Sequence, residues 1–167
     1  AKGFKIEFRF VEKGAYHCYI KFPDLLFDND LAAHKDEKIL VRVDTVKKRK
    51  LFKPEIKLLN GFDVYRKILV NPPAIILSQK LIAILERKRE KGRDFYDVSF
   101  LLGLTSPDYD FLSEERGINK NDLKEKLFEK IASLKMNKLT EDVLPFLINP
   151  GDEERILSFR EYIEQKL

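Results

Sequence analysis

One stretch of the sequence, residues 71–102, separates two kinds of pattern; it reads NPPAIILSQKLIAILERKREKGRDFYDVSFLL. Asn71 can cap a helix, and the two prolines after it suit a first helical turn. The helical pattern continues to about Lys91, where Gly92 interrupts it, and a second helix is predicted over residues 93–104. The stretch therefore predicts two consecutive helices joined at a glycine.

Strand patterns dominate the residues before this stretch. Residues 4–11 alternate apolar and charged side chains, which predicts a half-buried strand, and residues 15–22 complete an antiparallel hairpin with it. Residues 39–46 and 64–70 predict two further strands. Residues 51–59 could form either a strand or a loop, because Pro54 interrupts their strand pattern.

Helical patterns recur in the residues after the stretch, at 108–116, 121–134, 140–147 and 152–166. Strands first and helices afterwards predict an α+β fold, with a small mixed or antiparallel sheet followed by a C-terminal helical bundle. The predicted division is a strand-rich region over residues 1–70 and a helical region over residues 71–167.

Composition excludes several classes of protein. The net charge of +4 permits contact with nucleic acid or nucleotides without establishing it. Cys18 is the single cysteine, so no internal disulfide can form, and an inert thiol in a reducing, cytoplasmic setting is expected. No apolar run approaches the ~18 residues of a membrane helix. The chain begins with Ala1, which fits either removal of the initiator or a piece of a longer protein.

Lys80 is the first residue of chemical interest. Its helical neighbours are all apolar, at positions 76, 77, 83 and 84. A lysine on such a face requires a partner for its ammonium group. Two readings stay open: a side chain that extends along the core edge into solvent, or one that projects into a cleft and meets an anion such as a phosphate.

The segment that opens the second predicted helix combines Arg93, Asp94 and Asp97 on one polar edge. The structural reading is a helix start with Asp94 in the first turn and an ion pair between Arg93 and Asp97. The functional reading is a charged cluster that binds a ligand. The segment alone favours the structural reading.

Asp44 lies within an otherwise apolar strand pattern and requires an explanation, because aspartate has a low strand propensity. Metal ligation is one explanation. A pair with Arg42 on the same face, or exposure to solvent, is another.

The remaining candidates are weaker. The basic run at residues 47–50, with Lys53, is typical of a solvated loop, although it could contact RNA phosphates. His17 and His34 lack partners at metal-ligand spacing. The sequence contains no P-loop, no dinucleotide-binding glycine pattern and no nucleophile elbow.

In combination, these motifs resemble the AbiEii/AbiGii toxin family of nucleotidyltransferases. Members carry a proline-started helix with an internal lysine and a nearby arginine, here Lys80 and Arg87, and an Arg-Asp-x-x-Asp motif at the next helix, here residues 93–97. The resemblance covers most of the chain and is most specific over residues 70–104.

The resemblance implies a polymerase-β-like core that uses a nucleoside triphosphate and Mg²⁺, an RNA or protein acceptor, and a separate antitoxin protein. Lys80 would contact the triphosphate. Asp94 and Asp97 would shape the nucleotide site, with Arg93 orienting them. Asp44 would be a catalytic carboxylate and a metal ligand.

One departure from the family pattern concerns its front motif, a Gly-Gly or Gly-Ser turn followed by Asp-x-Asp on a strand. No glycine here is followed by Gly or Ser, and the triplets at residues 28–30 and 108–110 have no such turn upstream. We interpret both triplets as unrelated to the motif. The chain is therefore expected to be inactive alone, because metal-assisted transfer needs those ligands.

Three functional hypotheses follow. The first is a nucleotidyltransferase that lacks its front part, which the intact Lys80 and residues 93–97 favour. The second is a non-enzymatic remnant that binds a partner, and the third is a basic RNA-binding domain whose contacts centre on residues 47–53.

Overall fold

The computed structural model describes residues 3–13, 15–45, 52–61, 63–149 and 151–167. The chain divides into two compact units, residues 1–48 and 49–167. The change from strands to helices comes later, between Val70 and Pro73. The α+β class is confirmed, with antiparallel sheets followed by helices, whereas the domain boundary at residue 70 stays a prediction.

Three strands form an antiparallel sheet in the first unit, in the order β1 (Glu7–Glu12), β2 (Tyr16–Phe22) and β3 (Ile39–Thr45). The strand predictions are confirmed at these positions. The predicted half-burial of β1 is wrong in this structure, because Phe8 and Phe10 are 59% and 76% exposed. Their rings stack on the same face, 6.4 Å apart between centroids.

The second unit begins with a hairpin of β4 (Glu55–Gly61) and β5 (Val64–Val70), which resolves residues 55–59 as strand. Helices follow. They are α1 (Pro73–Glu86), α2 (Gly92–Leu102), α3 (Tyr109–Arg116), α4 (Lys120–Ala132), α5 (Met136–Glu141), α6 (Glu154–Leu157) and α7 (Phe159–Lys166).

Several helix limits differ from the sequence expectations. Pro72 rather than Asn71 occupies the N-cap of α1, with no side-chain cap, and α1 ends at Glu86. The helix expected over residues 140–147 is instead α5, which begins earlier, and a short 3₁₀ turn at Leu144–Phe146. The last helix is divided at Ser158. Helix ends are the part of a helix that apolar periodicity specifies least, so differences of a few residues at these limits are expected.

The core of the second unit lies between the helices. The buried aliphatic and aromatic side chains that form this core lie between Ile75 and Ile163. Phe95 of α2 meets Phe159 of α7 edge to face, with 5.0 Å between ring centroids. α1 and α2 pack side by side at the centre of this core.

Gly92 sets the start of α2 against α5. A Cβ atom on Gly92 would lie 1.9 Å from the carbonyl oxygen of Leu139 and 2.7 Å from Val143 Cγ2. Any other residue would push the two helices apart, because backbone cannot yield as a flexible side chain does. The glycine read as a helix break is therefore also a close-packing site.

The two Asp-x-Asp triplets take ordinary structural roles. Asp108 is the N-cap of α3, and its carboxylate accepts a 2.7 Å hydrogen bond from the Phe111 backbone N–H. Asp28 belongs to a 3₁₀ turn and Asp30 ends it with φ at +57°. Over the described ranges, no helix combines the length and apolar character that a membrane crossing requires.

Candidate functional site

Lys80 occupies the middle of α1, on the side that faces α2. Its neighbours Leu77, Leu81 and Ile84 are buried in the core, and the lysine side chain keeps 30% exposure. The aliphatic stem thus lies along the core while the ammonium group reaches its edge. The partner expected for a lysine with apolar helical neighbours comes from α2.

Two carboxylates hold the ammonium group. Lys80 Nζ lies 3.1 Å from Asp94 Oδ1 and 2.6 Å from Asp97 Oδ2. The aspartates are three residues apart, which places both on one face of the first turns of α2. The anion that Lys80 meets here is therefore a pair of side chains of the same unit, and the pair fixes α1 to α2.

Arg87 completes the group, which we call the Lys80 cluster: Lys80, Arg87, Asp94 and Asp97. Arg87 Nε lies 3.0 Å from Asp94 Oδ2. The two atoms attract as charges but lack the alignment of a hydrogen bond, and among the described residues neither has another partner. Asp94 Oδ2 therefore has unused capacity to accept a hydrogen bond, and at 2% exposure of the side chain bulk water does not supply the donor.

Opposing influences act on the pKa of Lys80. Burial alone would lower it, but the hydrogen bonds and charges of Asp97 and then Asp94 outweigh burial and raise the pKa above its ordinary value of 10.5. Lys80 is accordingly a permanent cation at neutral pH. It is suited to contact an anion and unsuited to act as a base.

Arg93 lies apart from the cluster. Its side chain is exposed, and across the described ranges it forms no ion pair with Asp94 or Asp97. The expected Arg93–Asp97 pair is therefore wrong: Lys80 binds Asp97, and Arg87 takes the position beside Asp94. The orientation of α2 turns Arg93 outward, because Asp94 is drawn into the core side of the helix.

Asp44 lies on β3 in the first unit and is partly exposed. His17 Nδ1 lies 2.6 Å from its Oδ1, and the Arg42 guanidinium lies 3.0 Å from its Oδ2. The pair with Arg42, one of the explanations left open for Asp44, is present. The hydrogen bond from His17 lowers the pKa of Asp44; burial opposes this effect and the charge of Arg42 reinforces it.

The described carboxylates do not by themselves fit a Mg²⁺ ion. Mg²⁺ prefers oxygen ligands in a near-octahedral arrangement. Both oxygens of Asp44 face basic groups, and Asp94 and Asp97 face Lys80 and Arg87. No group of three metal-binding side chains occurs within the described ranges. Asp44 would have to release His17 or Arg42 in order to bind a cation.

For two residues of these clusters, Arg87 and His17, no contact partner was predicted from the sequence. Arg87 was a motif residue without a predicted partner, and its place at the end of α1 seven residues after Lys80 could have suggested one. His17 pairs with Asp44 because the two stand opposite each other in the β2–β3 register. The basic run at residues 47–50 lies outside the described residues.

Comparison with protein-family models matches residues 10–165 to the family described as nucleotidyl transferase AbiEii toxin, type IV toxin–antitoxin system. The match spans both compact units and contains Asp44 and all of the Lys80 cluster. Searches of the curated proteins and of the solved structures returned no match.

Proposed function

The chain belongs to the AbiEii nucleotidyl transferase toxin family, and from that premise we propose that the Lys80 cluster binds the phosphates of a nucleoside triphosphate. The family description, a toxin of a type IV toxin–antitoxin system, implies a nucleotide substrate and an antitoxin partner. The proposed reaction moves a nucleotide from the triphosphate to an RNA or protein acceptor.

The observation that carries this proposal is the position of the Lys80 ammonium group between Asp94 and Asp97. In the free chain, the carboxylates neutralise a lysine whose stem lies on an apolar face. Asp97 is 40% exposed, so it can turn toward solvent, whereas Asp94 is buried and stays with Arg87. An arriving phosphate would then replace Asp97 as the partner of Lys80.

Each member of the cluster has a distinct part in this proposal. Lys80 supplies a compact positive charge to the phosphates. Asp94 is a positioning residue, because its buried carboxylate contacts the ammonium group of Lys80 and the guanidinium group of Arg87. Asp44 is a candidate catalytic carboxylate, and Mg²⁺ is a candidate cofactor.

Isothermal titration calorimetry tests the phosphate contact. The 167-residue chain, its Lys80→Ala variant and a Lys120→Ala control are titrated with each nucleoside triphosphate in the presence of Mg²⁺. Lys120 is exposed and has no ion pair within the described part of the chain, so its removal changes net charge equally. We expect binding to weaken about tenfold or more in Lys80→Ala alone, the loss of one charge-assisted contact of about 1.5–3 kcal/mol.

The competing reading makes Lys80 only a clamp between α1 and α2, as in a non-enzymatic remnant. Urea unfolding of the same three proteins separates the readings. A Lys80→Ala variant that is less stable yet binds the triphosphate as tightly as the unchanged chain would overturn the proposed phosphate contact.

Transfer itself is a separate proposal. The sequence contains no Gly-Gly or Gly-Ser turn ahead of an Asp-x-Asp strand, so we expect this chain to bind the triphosphate without transferring it. Incubation with a nucleoside triphosphate labelled at its α-phosphate and with total RNA measures this. Incorporation of label by the purified chain, absent from an Asp44→Asn variant, would contradict the expectation and would make Asp44 catalytic.

A further inference from the structure

Three adjoining hollows surround α5 and the turn between α1 and α2. The first is lined by Arg89, Lys135 and Lys138 among others, the second by Lys135 and Lys138, and the third by Lys91 and Arg93. Lys135 and Lys138 line the first two, and Asp142 lines the first and the third. We call the surface that these five cations share the basic groove.

The cations of the basic groove are not held in ion pairs with other described residues. Within the described part of the chain none of the five forms an ion pair, although other cations of the same unit do, such as Arg116 with Glu86. Four of the five are exposed and Lys91 is half-buried. Charge on one surface that is not held in ion pairs among the described residues raises the local positive potential.

Carboxylates in the basic groove compensate only part of this charge. Glu90 is occupied by Lys130, with 2.6 Å between Oε1 and Nζ. That ion pair lowers the pKa of Glu90 through the Lys130 hydrogen bond, so the two charges cancel at neutral pH. Glu141 and Asp142 also line the groove and have no ion pair among the described residues. The five cations outnumber these two carboxylates.

An exposed aromatic ring lies at the edge of the basic groove. Phe146 lines the hollow that contains Lys91 and Arg93, and it is 80% exposed. The 3₁₀ turn Leu144–Phe146 holds its backbone, with a 2.8 Å hydrogen bond from the Phe146 N–H to the Val143 carbonyl. A ring presented to solvent beside unpaired cations provides a flat apolar face next to positive charge.

We propose that the basic groove binds a single-stranded RNA segment, with phosphates at the five cations and a base stacked on Phe146. Cations alone would also suit an acidic peptide. The added aromatic ring favours RNA, because single-stranded nucleic acid uses both a positive groove and an aromatic platform. The inference rests on the proposed function only in treating this RNA as the acceptor of the nucleotide.

The placement of Arg93 connects the basic groove with the Lys80 cluster. Arg93 lines the groove, and the next residue of α2 is Asp94, whose carboxylate contacts Lys80 and Arg87. RNA bound in the groove would therefore lie at the same end of α2 as the proposed triphosphate contact. Arg93 acquires a role in acceptor binding instead of the orienting role that the family resemblance implies.

Fluorescence anisotropy with a short labelled single-stranded RNA, measured over a series of KCl concentrations without nucleotide, tests the charges. The compared proteins are the 167-residue chain, Lys135→Gln/Lys138→Gln and the control Lys120→Gln/Lys126→Gln. The control removes two exposed lysines of α4 that have no ion pair among the described residues. For single strands, the slope of log K against log salt is roughly −0.7 per phosphate contact. Removal of two contacts should make the slope of Lys135→Gln/Lys138→Gln shallower by about 1.4. The control should keep the slope of the unchanged chain.

Two results would overturn the charge assignment. Equal slopes for the groove variant and the control would show that RNA binds elsewhere on the chain. A labelled glutamate-rich peptide is titrated in parallel; if it binds and loses affinity in the groove variant while RNA does not bind, the surface is a protein interface and the RNA proposal fails.

Phe146→Leu tests the stacked base, because leucine keeps apolar area and removes the ring. We expect RNA affinity to fall about fivefold or more, as for the loss of about 1 kcal/mol of stacking, with an unchanged salt slope. Unchanged affinity would remove Phe146 from the binding surface.

Triphosphate titration of the groove variants separates the two proposals. Intact nucleotide binding with lost RNA binding in these variants would support both the Lys80 cluster as the nucleotide site and the groove as the RNA site. The reverse pattern in Lys80→Ala, lost nucleotide binding with intact RNA binding, would do the same from the other side.

Discussion

The two units of the chain each contain an aspartate between two basic side chains, in opposite surroundings. In the helical unit, Asp94 is 2% exposed and contacts Lys80 and Arg87. In the strand unit, Asp44 is 40% exposed and contacts His17 and Arg42. The distances are similar, between 2.6 and 3.1 Å.

Burial rather than distance separates these two arrangements. Removing one partner of a buried ion pair leaves the other charge in surroundings that solvate it poorly, which costs much free energy. An exposed carboxylate exchanges its partners for water at little cost. We therefore expect the same substitution to have a large effect at Asp94 and a small one at Asp44, and four experiments test this contrast.

The largest effect is expected for Asp94→Ala. The substitution leaves Lys80 and Arg87 together at the core edge without their shared anion, and we expect a loss of about 3 kcal/mol in the free energy of unfolding. Urea denaturation followed by circular dichroism measures it. Asp94→Asn keeps the shape and removes the charge, so a stable Asn variant would show that packing, and not the ion pair, gives Asp94 its importance.

Gly92→Ala disturbs the same cluster without touching a charge. The new Cβ meets the Leu139 carbonyl oxygen, so α2 must move away from α5, and we expect a cost of about 2 kcal/mol. Thermal unfolding measures it. Gly61→Ala is a matched control, since a Cβ there has nothing within 4 Å. Equal stability of both variants would contradict the close packing at the start of α2.

Alkaline pH gives a smaller effect, specific to the helical unit. The folded pKa of Lys80 is raised above 10.5, so the folded state holds this proton more tightly than the unfolded chain. The stabilisation is present in full below the unfolded pKa and is lost as pH rises through the folded pKa. Urea titrations on both sides of pH 10.5 should show this decline, and Lys80→Met should show less of it; identical declines would exclude Lys80 as the source.

Asp44→Asn is expected to have the smallest effect on unfolding at neutral pH, because its partners remain solvated. The lowered pKa of Asp44 gives a stabilisation that is present above the ordinary value of 3.8 and is lost as pH falls through the folded pKa. Acid titration of the unchanged chain and of Asp44→Asn measures the difference. A loss at neutral pH as large as that of Asp94→Ala would break the contrast between the two units.

Most elements of the fold could be predicted from the sequence, because periodicity reports which side chains share a face. The strands β1 to β3 and the helices α1 to α4 lie where the patterns indicated them, within a few residues. Prediction failed near residue 140, where α5 begins at Met136 and brings the Leu139 backbone against Gly92. Prediction also failed at Phe8 and Phe10, since alternation does not specify what covers a face.

The sequence by itself determined that Lys80 needs an anionic partner, since its helical neighbours are apolar, and that residues 93–97 carry charges at the start of a helix. Only the tertiary structure decided which charges meet. The packing of α1 on α2 brings Asp94 and Asp97 to Lys80, while Arg93 lines the basic groove. Spacing along a chain fixes which face of a helix a residue occupies, whereas contact between helices depends on how their buried faces interlock.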